Sequence, residues 1–231
     1  PFFLLVITLI ISIPLSTGAG IYLAEYSKKG RLTNFIRTCI EILSSLPSVV
    51  VGLFGYLIFV VQFEYGFSIL SGALALTVIT LPQMTRNVED SLRHVHHTQR
   101  EAGLALGISR WETVLHVVIP EALPGIVTGI VLASGRIFGE AAALIYTAGQ
   151  SAPALDWSNW NPFSVTSPIS IFRQAETLAV HIWKVNSEGT IPDGTLVSAG
   201  SAAVLLIFIL IFNLAARRIG KVLHRKLTSA Q

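Results

Sequence analysis

A chain of 231 residues with 52% hydrophobic and only 13% charged side chains lies far below the roughly one quarter of charged residues found in soluble domains. It therefore belongs in a bilayer. The net charge of +3 does not indicate nucleic acid, because the basic residues stand at the ends of apolar runs, where the positive-inside rule accounts for them. The single cysteine, Cys39, excludes any internal disulfide.

Apolar runs matching the roughly 20 residues of a spanning helix fall at about 2–23, 38–61, 67–84, 125–147 and 196–215. The expected fold class is an all-α polytopic membrane protein with five transmembrane helices in one domain, 1–231. The first run is followed by Lys28, Lys29, Arg31 and Arg37, and the second by a connection around Glu64 with no basic residue. The third is followed by Arg86, Arg93, Arg100 and Arg110, whereas the connection at 148–195 holds only Arg173 and Lys184. Arg217, Arg218, Lys221, Arg225 and Lys226 fill the tail. Basic residues near span ends stay cytoplasmic, so the first and third connections and the C-terminus face the cytoplasm. Pro1 is then outside, in the middle of an apolar run and without an initiator methionine. An upstream span, making six, is expected to return the N-terminus to the cytoplasm.

Pro47 and Pro82, inside apolar runs, read as kinks that shape a bundle. Ser44, Ser45 and Ser48 near Pro47 either line a pathway or satisfy backbone groups freed by it. His94, His96 and His97 lie close to Glu89 and Asp90, but two of the histidines are adjacent and point to different faces of a helix. They read as a solvated helix end rather than a metal site.

The segment 98–120 is polar and amphipathic between apolar runs. Thr98 with Glu101, and Ser109 with Glu112, have capping-box spacing and signal two helix starts. The first helix is expected over 99–106, ending at Gly107, where glycine accepts a left-handed conformation. The second is expected to end near Pro120, which supplies no amide. A two-turn helix about 12 Å long is too short to be stable alone, so it needs a partner. Ala102 and Gly103 permit close approach in a groove, with Leu104 or Leu106 as the apolar anchor; the other reading is an interfacial helix on lipid headgroups. No G-x-x-x-x-G-K-[ST] phosphate loop occurs, since Gly220-Lys221 is followed by valine. Energy must come from a separate subunit.

Arg136 and Glu140 lie four residues apart in the run 125–147, which on one helix face places them about 6 Å from each other. Each costs roughly 2.5–3.5 kcal/mol at a membrane helix centre, so the pair serves either an anion pathway, with the guanidinium offering a planar fork to an oxyanion, or an ion pair that fixes helix packing. Gly125, Gly129, Ala133, Gly135 and Gly139 let a neighbouring helix approach closely. Ser134-Gly135 resembles the motif of a serine intramembrane protease, but Leu132 stands where a glycine is needed and 196–215 contains no histidine base. In the outer connection, 148–195, Trp157 and Trp160 suit a membrane interface. Residues 169–185 are expected to form an amphipathic outer helix, available to a binding protein.

Glu101-Ala102-Gly103, Gly107 and Pro120 resemble the EAA loop by which permeases of ATP-binding-cassette (ABC) importers grip their ATPase. The segments AGIYLAEYSKKG (19–30), SSLPSVVVGLFGY (44–56), GRIFGEAAALIYTA (135–148) and NPFS (161–164) extend the likeness over nearly the whole chain, to the PstA-type permeases of bacterial phosphate importers. The resemblance implies a type I ABC importer permease fold in the bacterial inner membrane, with Glu101, Ala102, Gly103, Leu104, Leu106 and Gly107 in ATPase coupling and Arg136 and Glu140 in the substrate pathway. It implies a PstC-type permease, a PstB-type ATPase dimer that binds ATP and Mg, and a PstS-type phosphate-binding protein as partners, with inorganic phosphate as cargo and no cofactor in this chain. A sulfate, molybdate or phosphonate permease would share this architecture; a secondary transporter would leave the helix at 101–106 without a purpose.

Overall fold

The computed structural model describes residues 1–28, 30–188 and 192–228, excepting the side chains of 188, 221 and 223–228. Lys29 and the side chains of Lys221, Arg225 and Lys226, assigned above to the cytoplasmic side, lie outside the described residues. Among the described residues there is no strand. The α-helices are α1 (Phe2–Ile21), α2 (Arg31–Ser45), α3 (Ser48–Gly55), α4 (Ile69–Arg93), α5 (His97–Ala105), α6 (Arg110–Thr113), α7 (Ile119–Gly139), α8 (Ala142–Thr147), α9 (Leu178–Glu188) and α10 (Gly194–Thr228). π turns occupy Tyr22–Tyr26, Tyr56–Gln62 and Val114–Val118.

Among the described residues, three helical stretches are long and apolar enough to cross a membrane: Phe2–Tyr26, Arg110–Gly139 and Gly194–Gly220. A fourth arises when Arg31–Ser45 and Ser48–Gln62 are counted as one broken span. That break replaces the continuous helix expected over 38–61. Pro47, with ψ of 136°, caps α3, because it has no amide to continue α2. The run at 67–84 sits in α4, whose last turns carry Arg86, Glu89, Asp90 and Arg93, and these shorten its apolar length. The run at 125–147 is also interrupted, because α7 stops at Gly139 and α8 restarts at Ala142.

The chain divides into two compact units, Pro1–Ile11 with Ser45–Thr80 and Ser134–Ile211, and Ser12–Ser44 with Leu81–Ala133 and Phe212–Gln231. The basic residues of the two connections and the tail assigned to the cytoplasm all fall within the second unit's ranges.

In the first unit, small residues bring α3 and α8 together. A Cβ on Gly52 would lie 2.7 Å from the Ala143 Cα, and one on Gly55 would lie 3.0 Å from a Thr147 methyl. Val51, Ile79 and Ala143 form the buried cluster there, with Leu46 and Val78 against it. Phe2, Phe138 and Phe208 pack edge to face, with centroids 5.1–6.2 Å apart. Because the Gly52 contact is with backbone, Gly52→Ala forces the helices apart and should cost about 1–3 kcal/mol. Unfolding in detergent measures it, and an unchanged midpoint would contradict the packing.

The outer connection is held by backbone: Ile69 and Leu70 donate to Arg173 and Ile171 carbonyls, both at 2.9 Å, and Ala175 donates to Ala148 at 3.1 Å. The helix expected from 169 begins only at Leu178, because residues 171–175 are engaged in these bonds. Trp157, Trp160 and Phe163 are exposed.

In the second unit, Ile21, Val88, Leu92, Val95, Val114, Val118, Ala122 and Ile126 form the core. Cβ atoms on Gly125 and Gly129 would collide with the side chains of Ser91 and Asn87. Glycine at these two positions therefore lets α4 lie against α7, as small-residue faces do in membrane helices. Gly139 has nothing within 4 Å of its Cβ position and plays no such part. On α4, Glu89 is buried and paired with Arg37 at 2.7 Å and with Arg93 at 3.0 Å.

Candidate functional site

The loop at 97–120 is a short helix, a left-handed glycine and a second helix that does not stop. α5 starts two residues earlier than a Thr98 cap would allow: His96 is its N-cap and makes no side-chain bond. Thr98 is therefore inside the helix, and the expected Thr98–Glu101 box is absent. Glu101 instead pairs with His97 at 3.1 Å, both well exposed. α5 ends as expected. Leu106 donates to the Ala102 carbonyl, Gly107 to Leu104, and Gly107 has φ of +78°, the conformation that favours glycine.

The Ser109–Glu112 box is formed, with the Glu112 amide donating to Ser109 Oγ at 3.2 Å and the Ser109 amide to Glu112 Oε2 at 2.9 Å.

Beyond α6 the helix continues to Gly139 instead of ending near Pro120. The π turn at Val114–Val118 closes with the Ile119 amide donating to the Val114 carbonyl. This wider turn accommodates the proline that follows, which has no amide and whose ring would crowd the preceding turn.

Gly103 does not offer its bare backbone to a partner. It is buried, and a Cβ there would lie 2.7 Å from the Thr113 methyl. Ala102, Leu104 and Leu106 face outward, Leu106 with 82% of its surface exposed. Trp111 is also exposed; it escaped the sequence reading, although an aromatic on an otherwise polar helix start was a usable signal.

The base of the loop is fixed by Glu25 with Arg100 and Arg110, two residues read from the sequence only as basic residues of the third connection. Glu25 is 7% exposed. Arg100 donates to its Oε1 from Nε at 3.0 Å and Nη2 at 2.8 Å, and to the Leu92 and Val95 carbonyls at 2.6 Å. Arg110 donates to the Glu25 carbonyl and lies 5.2 Å from the Tyr26 ring centroid. A cavity of about 190 Å³ borders Glu25, Arg100, Arg110 and Leu104. The histidines form no metal cluster among the described residues, and His94 Nδ1 lies 2.6 Å from the Asp90 carbonyl.

Arg136 and Glu140 belong to the first unit and are half-buried. They do not share a helix face: α7 ends at Gly139, and Ala141, with φ of −116°, precedes α8. Glu140 Oε1 accepts from the Ala143 amide at 3.3 Å, capping α8. No ion pair joins Arg136 to Glu140 or to another carboxylate among the described residues.

This architecture has counterparts among known proteins. A structure titled as an inward-facing conformation of the MetNI methionine ABC transporter aligns with a TM-score of 0.69 at 18% identity, covering 96% of this chain and 89% of that one. The fold is that of a type I ABC importer permease. Residues 16–229 match the family described as binding-protein-dependent transport system inner membrane component. The chain belongs to that family, as a multi-pass membrane permease of an ABC importer that works with a permease partner, an ATPase and a binding protein. It is 57% identical over 228 residues to the probable ABC transporter permease protein YqgI of Bacillus subtilis, covering 99% of this chain and 78% of that protein. It is 35% identical over 215 residues to the phosphate transport system permease protein PstA of Xylella fastidiosa, covering 91% and 69%.

Proposed function

We propose that this chain is the PstA-type permease of a phosphate importer, resident in the bacterial inner membrane with its C-terminus in the cytoplasm. The observation that carries the reading is Arg136. It stands in an apolar helix with no carboxylate partner among the described residues, so its planar fork is available to an oxyanion. The 35% identity with a phosphate permease across most of the chain supports phosphate as the oxyanion. Glu140 sets the start of α8 beside this position and completes the pathway.

The exposed helix α5, with Ala102, Leu104 and Leu106 outward and Glu101 at its middle, docks on a PstB-type ATPase dimer, which binds ATP and Mg. Gly103 holds α5 against Thr113, and Gly107 ends it. A PstC-type permease completes the channel and a PstS-type protein delivers phosphate. The ATPase closes on ATP, α5 conveys the motion, and the pathway changes the side to which it opens.

The assembled complex in proteoliposomes should import radiolabelled phosphate in the presence of ATP and the binding protein, with sulfate excluded by roughly 100-fold or more, as expected of a hydrogen-bond-selective site. Equal uptake of sulfate would overturn the phosphate assignment, and uptake without the ATPase would indicate a secondary transporter.

A further inference from the structure

Both helices that flank Gly107 are pinned to one acidic residue 75 or more positions earlier in the chain. A single guanidinium, Arg100, gathers three pieces of structure: the Glu25 carboxylate at the end of the first span, the Leu92 carbonyl in α4 and the Val95 carbonyl before α5. Arg110, opening α6, reaches the Glu25 carbonyl and the Tyr26 ring. The loop tip is different, with Leu104 and Leu106 exposed.

Glu25 sits in a π turn, where the Ser27 amide reaches back to the Tyr22 carbonyl at 2.8 Å, and a second π turn follows α6 directly. Such turns recur at functional sites. A buried carboxylate and a guanidinium are costly to desolvate, and a well-packed neutral pair would often hold the fold as well.

We propose that Glu25 is a positioning residue for transmission. Through Arg100 and Arg110 it makes α5, α6 and the end of the first span move as one body, so a displacement imposed on the loop tip reaches α1. This role rests on the coupling function assigned to α5 above. Within the loop, α5 meets α6 through the close contact of Gly103 with Thr113, and Glu25 ties this pair to the end of the first span.

The test compares the wild-type complex, Glu25→Gln and the neutral double variant Glu25→Gln with Arg100→Met. Co-purification with the ATPase, basal ATP hydrolysis and phosphate imported per ATP hydrolysed are measured in proteoliposomes. The double variant is expected to assemble and hydrolyse ATP at the basal rate, with import per ATP reduced roughly tenfold, within the usual range of coupling between sites. The single variant should be uncoupled at least as strongly. A double variant that couples normally overturns the role of Glu25, and so does one that fails to assemble, because the pair would then only maintain the fold. A wild-type complex without ATP-driven uptake overturns the proposed function itself, and the two failures are thereby distinguished.

Discussion

Arg136→Ala is expected to abolish phosphate uptake by the assembled complex, by roughly 100-fold or more, the scale on which a desolvated charge contact to an anion is lost. The complex should still co-purify, because Arg136 makes no ion pair with another helix among the described residues. Arg136→Lys should retain part of the activity, keeping the charge but losing the bidentate fork. Glu140→Gln should be milder, because its side-chain oxygen can still accept from the Ala143 amide. Loss of assembly in Arg136→Ala would show that the residue supports the bundle instead of the pathway.

Gly107→Pro should break the link to the ATPase. The native φ of +78° is inaccessible to proline, whose ring fixes φ near −65°, and the bond from the Gly107 amide to the Leu104 carbonyl is lost as well. The C-terminal end of α5 would be redirected, and with it Leu104 and Leu106. Co-purification of the ATPase should fall by roughly tenfold or more, as when the anchors of an interface are displaced. Gly107→Asn, which tolerates the left-handed conformation, should retain most of the association. Equal association for both substitutions would remove α5 from the coupling role.

The two capping boxes show where local reading works. Ser109 and Glu112 form theirs because α6 begins where its own sequence dictates. Thr98 and Glu101 have the same spacing, yet α5 begins at His97, two residues ahead of the start that a Thr98 cap would set. The same spacing is thus compatible with a position inside a helix, and tertiary contacts choose the start. Arg100, held to Glu25 and two carbonyls, is one such contact.

Arg136 and Glu140 show a different failure. Their four-residue spacing places them on one face only if the helix continues, and the glycine at 139 followed by a non-helical pair interrupts it. Nothing in the spacing of the charges reports that break. Gly103 was legible as a small residue, but not the direction in which its smallness is used. It meets Thr113, ten residues on, across the left-handed turn at Gly107.

Composition, the run lengths and the EAA spacing were enough to specify a helical membrane permease, because they reflect needs met within a few turns of chain: burial of apolar faces in lipid, helix caps, and a glycine where φ is positive. The folded chain alone decided that 38–61 is broken at Pro47, that α7 runs through Pro120 with a π turn, that no continuous helix carries both Arg136 and Glu140, and that Glu25 meets Arg100 and Arg110. Each of these depends on residues brought together from separate helices, or on the choice among continuations that local propensity leaves nearly equal. That choice is made by packing, by backbone groups that must find partners, and by buried charges that must be neutralised.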